Sequence, residues 1–377
     1  MSIITTNNNK ADRGSKNQIA DLPFSYEIET KRVLKKAGEA RSALAELKGV
    51  ATTIPNEGIL MNTLPLQEAQ DSSEIENIIT TQDELYKSDI ELSQFATQGA
   101  KEVHNYASAL TTTYKKIKES GIFTNAYIKE IQAMLEGNDA GFRNQAGTAL
   151  KNDKTKEVIY TPPQSLDAIE KHMRNLELFI NDDSICDWDS LVKLSVIHHQ
   201  FESIHPFFDG NGRTGRIIII LYLIQKGLLD SPILYLSRYI NRNKSEYYRL
   251  LQAVRDDSSK AEIWEEWVLY ILEGVRQTSI QTTKLIKEIK RLMQIHKDKI
   301  RLELPKIYSQ DLINIIFSHP YTKINHVKDG LGVERRTASK YLGELEKINL
   351  LTKIKIGKEN YYINKDLMTC LGNVHDM

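Results

Sequence analysis

Cysteine is scarce in this chain, with two, Cys186 and Cys370, in 377 residues. A pair so far apart in sequence makes no disulfide framework and no zinc knuckle, and it fits a reducing compartment. Net charge is missing as well. The 50 Lys and Arg balance 50 Asp and Glu, so nothing pulls the whole molecule toward nucleic acid or membrane, and any such binding must be local. Long hydrophobic runs are absent. The longest, Ile217–Ile224, falls far short of the ~20 residues that cross a bilayer. The polar stretch Met1–Lys16, rich in Asn, Thr and Lys, lacks the apolar centre of a signal peptide and reads as a disordered tail. A cytoplasmic location is therefore expected. No internal repeat is found.

What is present is mostly helical periodicity over a length that allows two or three domains. Tyr26–Leu47 reads as a helix ending at Gly49, and Ala51–Leu66, broken by Pro55, Gly58 and Pro65, as a connecting loop. A short helix is expected over 71–79, with Asp71, Ser72 and Ser73 as candidate caps. Further helices are expected over Asp83–Leu92, Glu102–Glu119 and Asn125–Leu135. Near Phe142–Tyr160 the period changes, and Ala146–Leu150 and Glu157–Tyr160 flank a polar turn, which predicts a β-hairpin. Helices follow to Phe179, over Trp188–Ile204, through Arg255 and from Ala261 to about Ile300. From Pro305 the order is helix, helix-turn-helix and strand pair, which describes a winged helix. The expected division is a tail (1–20), an N-terminal helical region (21–110), a catalytic core (111–256), a helical connector (257–304) and a winged-helix domain (305–377).

The densest chemistry lies in His205-Pro-Phe-Phe-Asp-Gly-Asn-Gly-Arg-Thr-Gly-Arg216, followed by the apolar run. A glycine-rich loop opening a helix is a place to hold phosphates, because free backbone N–H groups and the helix dipole both favour negative charge. A neutral imidazole with a pKa near the working pH can take the proton of an attacking hydroxyl, and His205 suits that role. Asp209 can hold Mg²⁺ against phosphate oxygens. Gly210 and Gly212 let the backbone approach the phosphates. Asn211 can donate its amide to the α-phosphate, and Arg213 and Arg216 offer forks for the β- and γ-phosphates. In-line attack at the α-phosphorus would move AMP onto the hydroxyl and release pyrophosphate. A shared metal at His198, His199, His205 and Asp209 is disfavoured, since adjacent helical histidines face different ways, and one of the pair is expected to be a packing residue.

The loop resembles the signature of the Fic family of nucleotidyl transferases. It meets the pattern at His205, Pro206, Phe207, Asp209, Gly210, Asn211, Gly212, Arg213 and Arg216. Val103–Leu110, the Tyr160-Thr161-Pro162-Pro163 end of the hairpin and Tyr247-Tyr248 also look like their counterparts in that family. The resemblance implies a mainly α fold, with a Fic-type helical core and a β-hairpin flap beside the C-terminal winged helix. It implies AMP transfer from ATP, with Mg²⁺ as cofactor, to a Ser, Thr or Tyr hydroxyl of a protein, which could be the chain itself. Kinase-like relatives carry Lys at the position of Gly212, so the glycine favours nucleotidyl transfer. The ATP-binding set implied is Glu76, His205, Pro206, Phe207, Phe208, Asp209, Gly210, Asn211, Gly212, Arg213, Arg216 and, for the base, Arg242 or Tyr247. The hairpin Gln145–Tyr160 resembles the family's flap, whose edge strand pairs with an extended target peptide.

Ser72-Ser73-Glu74-Ile75-Glu76-Asn77 resembles the family's inhibitory helix, at Ser72, Glu76 and Asn77. Ser72 and Glu76 would lie one turn apart on one face, where the carboxylate could pair with Arg216 and displace the γ-phosphate. The opposite use of this Glu, placing a water that removes AMP from a modified target, stays open. So does a rival reading in which the chain is a DNA-binding regulator with a nucleotide-sensing core. In the winged helix Arg335, Arg336 and Lys340 stand where base or phosphate contacts would lie, while Glu344 and Glu346 share their helix. DNA, a protein partner and a second copy in a homodimer remain alternatives.

Overall fold

A helix buried on every side belongs at the centre of a fold, and two such helices form the axis of this one. The computed structural model describes residues 2–3, 19–90, 97–151, 155–356 and 359–372. In chain order its elements are β1 (Ser2–Ile3), α1 (Lys31–Ala51), α2 (Glu57–Met61), α3 (Leu64–Ile75), α4 (Gln82–Ile90), α5 (Gln98–Ser120) and α6 (Asn125–Glu136). There follow β2 (Leu150–Lys151), β3 (Val158–Tyr160), α7 (Leu166–Asn181), α8 (Ser190–Ile204), α9 (Asn211–Gln225), α10 (Leu236–Arg242), α11 (Lys244–Asp256) and α12 (Ala261–Glu303). The C-terminal part holds α13 (Gln310–Ser318), β4 (Tyr321–Lys323), α14 (Ile324–Leu331), α15 (Arg335–Lys347), β5 (Thr352–Ile356), β6 (Glu359–Ile363) and α16 (Lys365–Gly372). No helix among the described residues is long and apolar enough to cross a membrane.

Every residue of α8 from Leu191 to Ile204 is buried, as is the Ile217–Ile224 run of α9. These two helices pack on each other, with α5, α6, α3 and α10 around α9, and α7 and α12 against α8. Local chemistry sets many of the ends. Thr30, Thr97, Thr124 and Ser165 each accept a hydrogen bond from a first-turn N–H, the usual device for satisfying a helix's free donors. The long α12 pairs with α1 along one half and carries α13 and α16 on the other. The small sheets are β1-β2-β3 and β4-β6-β5, both antiparallel.

Some boundaries differ from the sequence reading. The expected loop over 51–66 contains α2 and the start of α3, because Pro65 sits in a first turn, where its missing N–H has no partner to lose. The segment expected as a helix over 71–79 is therefore the end of a longer helix that stops at Ile75, with Glu76 as its cap. Asp71, Ser72 and Ser73 are not N-caps; all three are buried within α3. Asn77, at φ 64°, takes the left-handed step that closes such an end. The flap strands are shorter than expected, two and three residues around a bulge. Of the expected tail, Ser2–Ile3 pair with Lys151 and Leu150, and the rest through residue 18 lies outside the described residues, as do residues 91–96, on which the end of the helix expected over Asp83–Leu92 falls, and residues 152–154, 357–358 and 373–377. The C-terminal part keeps the expected order and adds β4 and α16.

Candidate active site

The loop between α8 and α9 is bent by two left-handed residues. His205 ends α8 at φ 49°, and Gly210 opens α9 at φ 78°. A side chain at Gly210 would stand 2.6 Å from Glu136 Oε1, so only glycine serves there. A non-glycine residue in this region stores strain of about 1–3 kcal/mol, and buried partners hold His205 in place. The Arg143 backbone N–H donates to Pro206 O at 2.9 Å, and Arg143 Nε donates to His205 O at 2.8 Å. Asn211 faces inward. It accepts from the Phe207 N–H and donates to Phe207 O, both at 2.9 Å.

This corrects the role expected for Asn211. Its amide is spent on holding the loop, which leaves backbone donors at this helix end. The first-turn N–H groups of α9, at Asn211, Gly212 and Arg213, have no intrahelical acceptor. The Gly210 N–H is used by Asp209 Oδ1 at 2.7 Å.

A cavity of about 310 Å³ opens on this helix end, a size that suits a small ligand. His205, Asp209, Gly210, Asn211, Gly212 and Arg213 line it, joined by Glu76. His205 is 7% exposed, with its ring facing the cavity beside the Glu202 main chain. Burial, reinforced by the Arg255 and Arg143 guanidinium groups, pushes its pKa down to about 3. In place of the expected value near working pH, the imidazole is neutral at pH 7. Glu202 also lines the cavity, and burial pushes its carboxyl up to about 7, against the pull of Arg216 and Arg255.

The two loop arginines are both occupied. Arg216, 2% exposed, donates through Nε to Ser72 Oγ at 2.7 Å, and through Nη2 to Ser72 O at 3.1 Å and Glu76 Oε1 at 2.9 Å. Burial works to raise the Glu76 carboxyl, and Arg216 overcomes it, holding the group below the ordinary carboxylate range. Glu76 Oε1 also stands 2.4 Å from where a Cβ on Gly212 would lie. The carboxylate therefore fills the space beside the loop as well as its charge. Arg213, expected on the phosphates, bridges Glu102 at 2.9 Å and Glu136 at 2.7 Å.

Asp209 is exposed at the cavity. Among the described residues no group of three or more His, Cys, Asp or Glu is arranged to hold a metal. One hard carboxylate beside a phosphate-binding loop fits a Mg²⁺ that takes its other ligands from a nucleotide and water.

Other expected residues fall outside the cavity. Pro206 and Phe207 are buried, Phe207 in the core against Phe142. Phe208 is half-buried and Arg242 is exposed at the end of α10; neither lines the cavity. Tyr247 is 2% exposed, bonded to His198 Nε2 at 2.9 Å, and Tyr248 takes the cavity position instead. Both His198 and His199 are packing residues. His199 Nε2 meets Leu251 O at 3.2 Å, and both rings lie against Trp267. Sequence reasoning missed Glu102, Glu136, Glu202, Tyr248, Leu251, Leu150, Ile78 and Arg255, all of which line the cavity. Leu150 belongs to β2, which places the flap on its rim.

Comparison with known proteins bears on the family and the fold. A sequence model described as Fic/DOC family matches residues 122–223, one described as Fic/DOC family N-terminal matches 34–115, and one described as Protein adenylyltransferase SoFic-like, C-terminal domain matches 292–367. The Aquifex aeolicus protein named "Probable protein adenylyltransferase aq_aa38" is 28% identical over 188 residues, covering 48% of this chain and 54% of that protein. The Caenorhabditis elegans protein adenylyltransferase fic-1 is 29% identical over 65 residues, 17% of this chain and 13% of that one. The chain thus spans about half the length of the Aquifex relative and less of the nematode one. Among solved structures, a Fic family protein from Desulfovibrio desulfuricans superposes with a TM-score of 0.54 at 18% identity, covering 89% of this chain and 96% of the other. A Fic domain containing signaling protein from Bacteroides thetaiotaomicron gives 0.53 at 16% identity, covering 66% and 98%. With matched family segments on either side of and across the His205–Arg216 loop, and a shared fold along most of its length, the chain belongs to the Fic/DOC family.

Proposed function

We propose that this chain transfers AMP from ATP to a Ser, Thr or Tyr hydroxyl of a protein, and that Glu76 restrains the reaction from within the same chain. The observation that carries the reading is the facing of His205, Glu76 and the open end of α9 into one cavity, with Glu76 also paired to Arg216, which does not itself line that cavity.

In this reading the first-turn amides of α9 and the helix dipole receive the phosphates. Arg216, once released, holds the terminal phosphate. His205, neutral at pH 7, takes the proton of the target hydroxyl. The hydroxyl oxygen bonds to the α-phosphorus as the bridge to the β-phosphate breaks, and pyrophosphate leaves with the negative charge. Asp209 would hold the Mg²⁺ that accompanies ATP, which supplies charge neutralisation to the leaving group. The flap at the rim would align the target's main chain by strand pairing, where Ser2–Ile3 now pair with β2.

The reading is tested with the Glu76→Gly chain and ATP labelled at either end. Label in the α-phosphate should stay on protein, and label in the γ-phosphate should not. Retention of the γ-label would mean phosphorylation and would overturn the reading.

A further inference from the structure

The segment that carries Glu76 runs after six residues into α4, and α4, beside the packing of α2 on α13, is where the C-terminal domain meets the N-terminal helices. The Tyr321 hydroxyl, at the start of β4, donates to Asp83. Gln82 Nε2 donates to Leu371 O at 3.3 Å. The rings of Tyr86 and His319 meet edge to face, with centroids 5.3 Å apart. Gly372 lies so close to α4 that a Cβ there would be 3.1 Å from Gln82 Oε1. Tyr86, His319 and Tyr321 are all buried in this seam.

The contact continues inward. Gln67 Nε2, on α3, donates to the Tyr86 hydroxyl at 2.9 Å, and Gln70 Nε2 donates to Thr80 O at 2.8 Å. On its far side α3 is fastened to α10 by Arg238 on Asp71 at 2.9 Å and by Ser237 N–H on Glu68 at 3.1 Å. The end of the same helix places Ser72 and Glu76 on Arg216. An unbroken series of hydrogen bonds and ring contacts therefore joins the C-terminal sheet to the phosphate-binding loop. The C-terminal domain has a second anchorage on α12, where His296 Nε2 lies 2.9 Å from Asp366 and its ring meets Phe317. Loosening the seam on α4 need not detach the domain.

We propose that the C-terminal domain is the outer part of the restraint: seated on α4, it keeps α3 where Glu76 reaches Arg216, and opening this seam raises AMP transfer. The inference rests on the reading of Glu76 given above. Its physical basis is linkage. A helix gripped at one end by Arg216 and along its side by α4 cannot shift at one contact without straining the other. Coupling of this kind between sites is typically about 5- to 150-fold, and it is reciprocal. A partner that binds the C-terminal domain only when it is off α4 would therefore activate the site, and triphosphate in the site would loosen the seam.

The test uses the full chain carrying Tyr321→Phe with Gln82→Ala, neither residue being in the cavity, alone and combined with Glu76→Gly. Initial rates of α-labelled AMP incorporation are compared, with thermal unfolding as the check on folding. The seam changes should raise the rate about fivefold or more in the parent chain and leave the Glu76→Gly rate unchanged within about twofold. A parent rate that does not rise, with Glu76→Gly itself fast, overturns the inference and leaves the reading of Glu76 standing. An equal rise in both backgrounds also overturns it, since the seam would then act elsewhere. A Glu76→Gly chain no faster than its parent overturns the reading of Glu76 and this inference with it. Should the double change unfold the chain, Tyr321→Phe alone, which removes one oxygen atom, carries the comparison.

Discussion

Charge and volume at Glu76 can be separated by two substitutions. Glu76→Gln keeps a side chain of the same size against Gly212 and removes the charge that faces Arg216. Glu76→Gly removes both. Arg216 loses one of its three hydrogen bonds and its one carboxylate partner in the glycine variant. A hydrogen bond to a charged group is worth about 1.5–3 kcal/mol. The Glu76 side chain is 28% exposed, so water screens the pair and the lower end applies, about 1–2 kcal/mol. Triphosphate affinity should therefore rise about 5- to 30-fold for Glu76→Gly, at 1.4 kcal/mol per factor of ten. The glutamine variant should fall between it and the parent chain, because its amide still fills the space beside Gly212. The measurement is calorimetric titration of ATP with Mg²⁺ in a His205→Ala background, so that nothing turns over. ADP, which lacks the terminal phosphate assigned to Arg216, should gain less than ATP. Equal ATP affinity for all three chains would refute the reasoning. A gain as large for ADP would place the effect of Glu76 somewhere other than the terminal phosphate.

Asn211→Ala should destabilise the chain by about 2–4 kcal/mol in denaturant unfolding, since it leaves the buried N–H and C=O of Phe207 without partners. Gly215→Ala should cost about 1–3 kcal/mol in the same assay, because its Cβ would meet Glu202 Oε1 at 2.7 Å and Phe201 Cδ1 at 3.1 Å. Stability should peak between about pH 6 and 7 in a series of thermal melts. Below that range the unfolded chain takes up protons on His198, His199 and His205 that the fold refuses, so the stability they contribute is lost as pH falls below 6.5, toward about 3 for His198 and His205 and in the same direction for His199. Above it Glu202 and Glu68, raised by burial to about 7 and about 8, must ionise inside the fold, and stability is lost as pH rises through those values. In the overlap at pH 5 to 6 three histidines outweigh two carboxyls, so a melt that was most stable near pH 5 would contradict these assignments.

The parts of the site that lie on one stretch of chain were legible in the sequence. The His205–Arg216 loop, its two glycines and the apolar α9 form a local pattern; the structure brings His205 and Asp209–Arg213 onto one cavity and buries the apolar run behind them. The pairing of Glu76 with Arg216 was legible only through the resemblance of the short upstream motif to the family's inhibitory helix, and the bonds from Arg216 to Ser72 were not foreseen. Glu102 and Glu136 were not legible. They reach Arg213 from α5 and α6, and nothing near either residue marks it as different from other helical glutamates. Tyr248 could have been chosen over Tyr247 from helix phase alone, since Tyr247 shares a buried face of α11 with Leu250, Leu251 and Val254. The start of α3 was misread because Pro65 breaks a helix anywhere but its first turn. β4 escaped because three residues carry no alternation, and its pairing with β6 joins residues about forty apart in the chain.

The central claim is that this loop passes the nucleotide's innermost phosphorus to a hydroxyl prepared by His205. Intact-mass measurement of the purified Glu76→Gly chain, incubated with Mg²⁺ and ATP beside its His205→Ala counterpart, tests it most directly. The account predicts a gain of one or more AMP units in the first and none in the second. A gain of phosphate, or AMP appearing equally on the chain without His205, would contradict it.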